Sequence, residues 1–219
     1  METKLATMMS TVNAEDNVWQ CLGKAIDRFN RSAEPQSLLC PRDAGANKNS
    51  LEWAAASERA ITHRLAFYIE CELRSVCVVG DSSRIVVDCE YNRHIGSTKS
   101  LAALAEKDIK EIVKKARKRE LEANDDGFYV FSVAPDIVVH ERLTDDNNLL
   151  VVEVKKASSR ETEKYDELKL ALFTKPKQDK TGYGYKFGAW VVAEDKCDPE
   201  TRKLQIVEKY KDGIAIPIV

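Results

Sequence analysis

From residue 14 to residue 29 the apolar positions Val18, Leu22, Ile26 and Phe29 return every three or four residues. That spacing predicts an amphipathic helix, with Asn13 as its cap. The chain then turns polar around Pro35, Pro41 and Gly45, so 30–49 reads as a linker or long surface loop. A second stripe, Ile61, Leu65, Tyr68 and Ile69, predicts a helix from about Leu51 to Leu73, opened by Asn49 and Glu52 at capping-box spacing. The β-branched run Arg84 to Tyr91 predicts a strand. Leu101, Ala105, Ile109, Ile112 and Ala116 then predict a long charged helix over about 99–123. Phe128 to His140 reads as strand, broken before Pro135, and Leu149 to Lys155 as another, with turn chemistry between Arg142 and Asn148. A helix over Ser158 to Phe173, a loop with Gly182 and Gly184, and strands at Lys186 to Ala193 and Leu204 to Glu208 complete the pattern. The order helix, strand, strand, strand, helix, strand predicts an α/β chain of the α+β kind. Helices flank a central mixed sheet, residues 1–49 form an N-terminal helix and linker, and residues 50–219 form the main domain.

The two central strands carry the chemistry. Residues facing each other across an antiparallel hairpin have numbers of constant sum. For Asp136 and Glu153 that sum is 289, which centres the hairpin between Thr144 and Asp145, inside the predicted turn. The two carboxylates are therefore expected opposite one another, an arrangement that repels unless a proton or a cation intervenes. A hard divalent cation with oxygen ligands suits the position. Leu149, Val151, Glu153 and Lys155 share one strand face, while Leu150, Val152 and Val154 make the other wholly apolar. A strand apolar on both faces is buried, and charges at its end need a reason. Lys155 there can orient an attacking water or neutralise a phosphate. Glu58 continues the stripe of Ile61 and Leu65, and reads either as a core-facing acid that needs a partner or as an exposed acid at a helix start.

Composition narrows the setting. With 34 basic and 36 acidic residues the formal charge is -2, which argues against binding nucleic acid by bulk charge alone. No apolar run is long enough to predict a membrane span, and Met1 to Asn13 lacks a secretory h-region. None of the six cysteines forms a C-x-x-C pair, which argues against a zinc site, and most sit in apolar surroundings and read as reduced core thiols of a cytoplasmic protein.

Pro135-Asp136, followed after a turn by Glu153-Val154-Lys155, resembles the PD-(D/E)XK motif of restriction-endonuclease-like nucleases. The predicted element order is similar to that superfamily's α-β-β-β-α-β core between about Leu51 and Ala193, and the chain resembles its uncharacterised bacterial and phage members. The inserted helix at 99–123 departs from the pattern. The resemblance implies a Mg²⁺-dependent phosphodiesterase, endonuclease or exonuclease, with Mn²⁺ able to substitute. It implies that Asp136 and Glu153 bind the ion with the Val154 backbone carbonyl, that Lys155 acts on water or phosphate, and that Glu58 is the acid of the first helix. It also implies nucleic acid as the partner, DNA ahead of RNA.

Other residues carry open alternatives. Lys169 is a candidate phosphate ligand or a solvated helix lysine, and Glu90 a candidate near metal and substrate or part of a polar sheet face with Asp88. His140 lies on the Asp136 face but roughly 13 Å along the strand, and His63 reads as a structural histidine. The run Lys110, Lys114, Lys115, Arg117, Lys118 and Arg119 fits a nucleic-acid backbone or a solvated helix. Lys175, Lys177, Lys180, Tyr183 and Tyr185 suggest a flexible basic–aromatic loop. The alternative to an enzyme is an inactive or partner-dependent binding module, with a homodimer or protein partner docked through the helix around Trp19. A metal-free hydrolase has no support, because neither G-x-S-x-G nor a P-loop occurs.

Overall fold

The structure is a computed structural model. It describes residues 2–39, 56–76, 78–80, 83–94, 97–104, 106–118, 122–159, 162–177, 182–195 and 202–218, without the side chains of 2–16 and 93–98. The expected cap at Asn49 and Glu52 lies outside the described residues, as does the linker from residue 40.

Six strands form the central sheet. They are β1 (Ile85–Cys89), β6 (Ile137–Glu141), β7 (Leu150–Lys156), β8 (Phe187–Ala193), β9 (Leu204–Lys211) and β10 (Ile214–Ile216), adjacent in that order. All neighbours are antiparallel except β7 and β8. A parallel pair needs a crossover, and helix α5 (Glu163–Thr174) supplies it. The sheet is thus mixed and flanked by helices, as the sequence predicts.

The period of two along β7 divides the core. Val152 and Val154 join Ile137, Val139 and Val191 under α1 (Glu2–Arg31) and α3 (Glu58–Ser75). Val151 joins Val138, Trp190 and Val192 under α5. Leu149, just ahead of the strand, falls in the first group rather than with Val151. Val18, Leu22, Ile26 and Phe29 of α1 pack fully into the core beside α3. The backbone is already helical from Glu2, so Asn13 does not start this helix. The short α2 (Glu34–Leu38) follows.

The segment between β1 and β6 differs from its expectation. The helix α4 spans only Lys107–Arg117. Ser100–Leu104 is instead a strand, β4, paired with β5 (Phe128–Ser132), and the small ribbon β2 (Arg93–His94) and β3 (Ser97–Thr98) precedes it. Leu101, Ala103, Tyr129 and Phe131 face the core on one side of the β4–β5 ribbon, so cross-strand packing overrides the helical stripe. The break before Pro135 is real: β5 ends at Ser132 and β6 begins at Ile137, in different sheets.

Among the described residues, no helix is long and apolar enough to cross a membrane.

Candidate functional site

The hairpin has the register the arithmetic requires. Ile137 pairs with Val152, Val138 with Val151 and Val139 with Leu150, each pair summing to 289. Continuing that register by one residue sets Asp136 opposite Glu153. The connection is closed by the Glu141 N–H donating to the Asn147 carbonyl at 3.3 Å, and Asn148 Nδ2 ties it to the Tyr183 carbonyl at 2.8 Å. Asp136 sits where β6 begins, and its Oδ2 accepts the Val154 backbone N–H at 2.7 Å. Glu153 points to the α5 side of the sheet and is fully buried.

Two lysines answer these acids. Lys169 Nζ donates to Glu153 Oε2 at 2.6 Å and lies 2.8 Å from Asp166 Oδ1, one turn earlier on α5. Lys155 Nζ lies 3.4 Å from Glu58 Oε2 and 3.7 Å from Asp166 Oδ2. Glu58 is the first residue of α3, capped by Ser57, and its Oε1 accepts the Lys156 backbone N–H at 3.1 Å. Asp136, Glu153, Lys155, Glu58 and Lys169 therefore gather at the ends of β6 and β7, with Asp166 of the same helix as Lys169 beside them. Spacing on α5 carried a signal for Asp166, since an acid three residues before Lys169 shares its helix face.

The charges do not balance. Glu58, Glu153 and Asp166 share the ammoniums of Lys155 and Lys169, and Asp136, held by the Val154 N–H, lies in the field of the same two lysines. With all ionised, the surplus is that of one divalent cation. Glu153 Oε1 is buried and accepts no hydrogen bond among the described residues. Burial pushes Glu153 well above the usual carboxylate range, and the neighbouring Asp136 and Asp166 add to what Lys169 cannot offset. Burial also raises Asp136, against the pull of Lys169 and the Val154 N–H. Burial alone would lower both lysines, but their carboxylate neighbours more than reverse it, Glu153 and Asp166 for Lys169, Asp166 and Glu58 for Lys155.

Oxygen-only donors beside an orphaned carboxylate oxygen fit a hard cation. Among the described residues, no three His, Cys, Asp or Glu side chains converge as a ready-made metal cage.

The remaining candidates are placed by their contacts. The Glu90 carboxylate turns to Arg59 at 2.7 Å, while its backbone N–H, in a left-handed residue with φ 49°, donates to the Asp136 carbonyl. Lys169 is 7% exposed and engaged by carboxylates, not placed in solvent like an ordinary helix lysine. Asp88 joins His140 at 3.1 Å and the Arg142 guanidinium at the far end of β6, apart from the site. His63 is exposed rather than a buried structural histidine. Tyr183 and Tyr185 are buried, so neither offers a face for base stacking in a mobile loop. On α4, Lys114, Lys115 and Lys118 are exposed, and Arg119 lies outside the described residues.

No family model, curated protein or solved structure matches this chain. The site is therefore read from its own geometry.

Two hollows flank it. One, about 680 Å³, is lined by Ser57, Glu58, Arg59, Lys155, Lys156 and Ser158 among others. The other, about 260 Å³, lies on the α5 side, where Lys169 forms part of its wall.

Proposed function

We propose that the chain is a Mg²⁺-dependent nuclease of the PD-(D/E)XK type that hydrolyses phosphodiester bonds, of DNA ahead of RNA. The reading rests on one observation: a surplus of carboxylates over ammoniums, with the buried Glu153 Oε1 unanswered among the described residues, at the end of a strand beside a cleft rich in cations. Asp136, Glu153 and the Val154 carbonyl would hold the ion, which when bound supplies Lewis acidity to a phosphoryl oxygen and acidifies an attacking water. Lys155, kept protonated by Asp166 and Glu58, donates to a non-bridging phosphate oxygen as charge grows there. Lys169 holds Glu153 Oε2 in place by its hydrogen bond and opposes the rise that burial imposes on that carboxyl. Arg59, Lys156 and the hydroxyl groups of Ser158 and Ser159 line the approach for the polynucleotide backbone.

The second reading is a nuclease-fold binding module that is inactive alone or completed by a partner. What favours it is that Lys169 already supplies a counter-charge to Glu153. Labelled DNA and RNA substrates with Mg²⁺ or Mn²⁺, beside Lys155→Ala, separate the two. The nuclease cuts at least one polymer, depends on the metal, and loses about 100-fold or more of its rate in the variant. Pure protein that cuts nothing supports the module.

A further inference from the structure

The smaller hollow has a composition unlike the rest of the surface around the site. Its walls are the Arg117 guanidinium, the Tyr165 ring, Asn92, Lys169 and the 132–134 backbone, with no carboxylate among them. Arg117 donates to the Ser132 carbonyl and lies 3.4 Å from the Tyr165 hydroxyl. Both are neutral acceptors, and no carboxylate pairs with this guanidinium among the described residues. A guanidinium so placed is a fork for an anion. The Tyr165 ring beside it is only partly covered, leaning on Phe131 at 5.9 Å between centroids. Lys169 belongs to both places, since its Nζ holds Glu153 and sits 5.3 Å from the Tyr165 ring centre. A chain whose phosphate rests on Lys155 would thus bring its neighbouring nucleotide here.

Size and charge restrict what fits. About 260 Å³ has room for one nucleobase with part of its sugar, less than a base pair with its two backbones occupies. The larger groove between α4 and α5, about 890 Å³, carries Asp108, Glu111, Glu163 and Glu167 against Lys115 and Lys164, which repels phosphate.

We infer that the Arg117–Tyr165 hollow takes one unpaired nucleotide, its phosphate on Arg117 and its base against Tyr165, and so selects single-stranded polynucleotide over continuous duplex. This rests on the reading of the neighbouring carboxylates as a phosphodiesterase site. It gives the β4–α4–β5 insertion the task of substrate choice, because Arg117 and the 132–134 wall both belong to it.

The test is binding without hydrolysis, using single-stranded and duplex oligonucleotides of one sequence that carry 2-aminopurine, with Ca²⁺ in place of Mg²⁺. The wild type should bind the single strand at least about tenfold more tightly and change its fluorescence. Tyr165→Leu should remove that change, Tyr165→Phe should keep it, and Arg117→Gln should weaken single-strand binding roughly tenfold. Melting curves confirm that each variant is folded. Equal or tighter duplex binding, no effect of Tyr165→Leu and Arg117→Gln, or no binding of any oligonucleotide would each overturn the inference. Binding with these signatures but no Mg²⁺-dependent cleavage would remove the phosphodiesterase and leave the hollow. Cleavage of duplex untouched by both variants would do the reverse.

Discussion

The hairpin β6–β7 has a polar cluster at each end, and the two are built on opposite terms. At the far end, Asp88 is closed off by His140 and Arg142, with Tyr91 packed 4.5 Å from the His140 ring. Burial would raise the Asp88 carboxyl, but the hydrogen bonds from Arg142 and His140 hold it far below the usual range. Nearby, Lys99 is 2% exposed among the rings of Tyr91, Tyr183 and Tyr185, and donates to the Tyr185 hydroxyl at 2.7 Å. At the near end, burial prevails over the ammoniums, Glu153 stays raised, and one of its oxygens is orphaned. A polar cluster that meets its own needs contributes order, whereas one left in deficit has room for a ligand.

The largest effect expected from breaking this contrast is in stability. Lys169→Met strands Glu153 without its cation and should cost about 3–5 kcal/mol in denaturant unfolding. Arg142→Met, at an exposed guanidinium with His140 still on Asp88, should cost under about 1 kcal/mol. Equal costs would mean that the near cluster is an ordinary ion network.

Next comes metal. At a hundredfold excess over Kd, Mg²⁺ should stabilise the wild type by about 2.7 kcal/mol in thermal melts. Asp136→Asn should abolish that gain and Asp88→Asn should retain it. A gain that survives Asp136→Asn places the ion elsewhere.

The third test is the pH dependence at the closed end. Burial lowers Lys99 from 10.5 to about 8, against the pull of Asp145 and Asp88. Between those values the unfolded chain keeps a proton that the folded chain has lost, so stability rises with pH across the window. Melting from pH 7.5 to 10.5 should show the wild type gaining on Lys99→Met as pH rises. Parallel curves would deny Lys99 its shifted titration.

Sequence reading reached the hairpin and its carboxylates because a turn of known chemistry and a constant sum fix register without any long-range information. It also reached Glu58, whose helical spacing aims it at the sheet. It misread residues 99–104, since Leu101 and Ala105 satisfy a helical stripe while the strand depends on pairing with residues 128–132, far along the chain. The burial of Lys99 had no local sign, because its three tyrosines come from two separate segments. Arg117 was legible only as one of a basic run, and its turn toward Tyr165 is a product of tertiary packing.

The contact between Lys155 and Glu58 spans 97 residues, whereas Asp136 meets the Val154 N–H across 18. A hairpin closes quickly and with little loss of chain entropy, while a distant helix must be brought in by the whole fold. The carboxylate half of the site is therefore expected to assemble early and resist local opening, and the start of α3 to dock late and be released first. In hydrogen exchange the amide of Val154 should outlast that of Lys156, though both are held by carboxylates two residues apart on one strand.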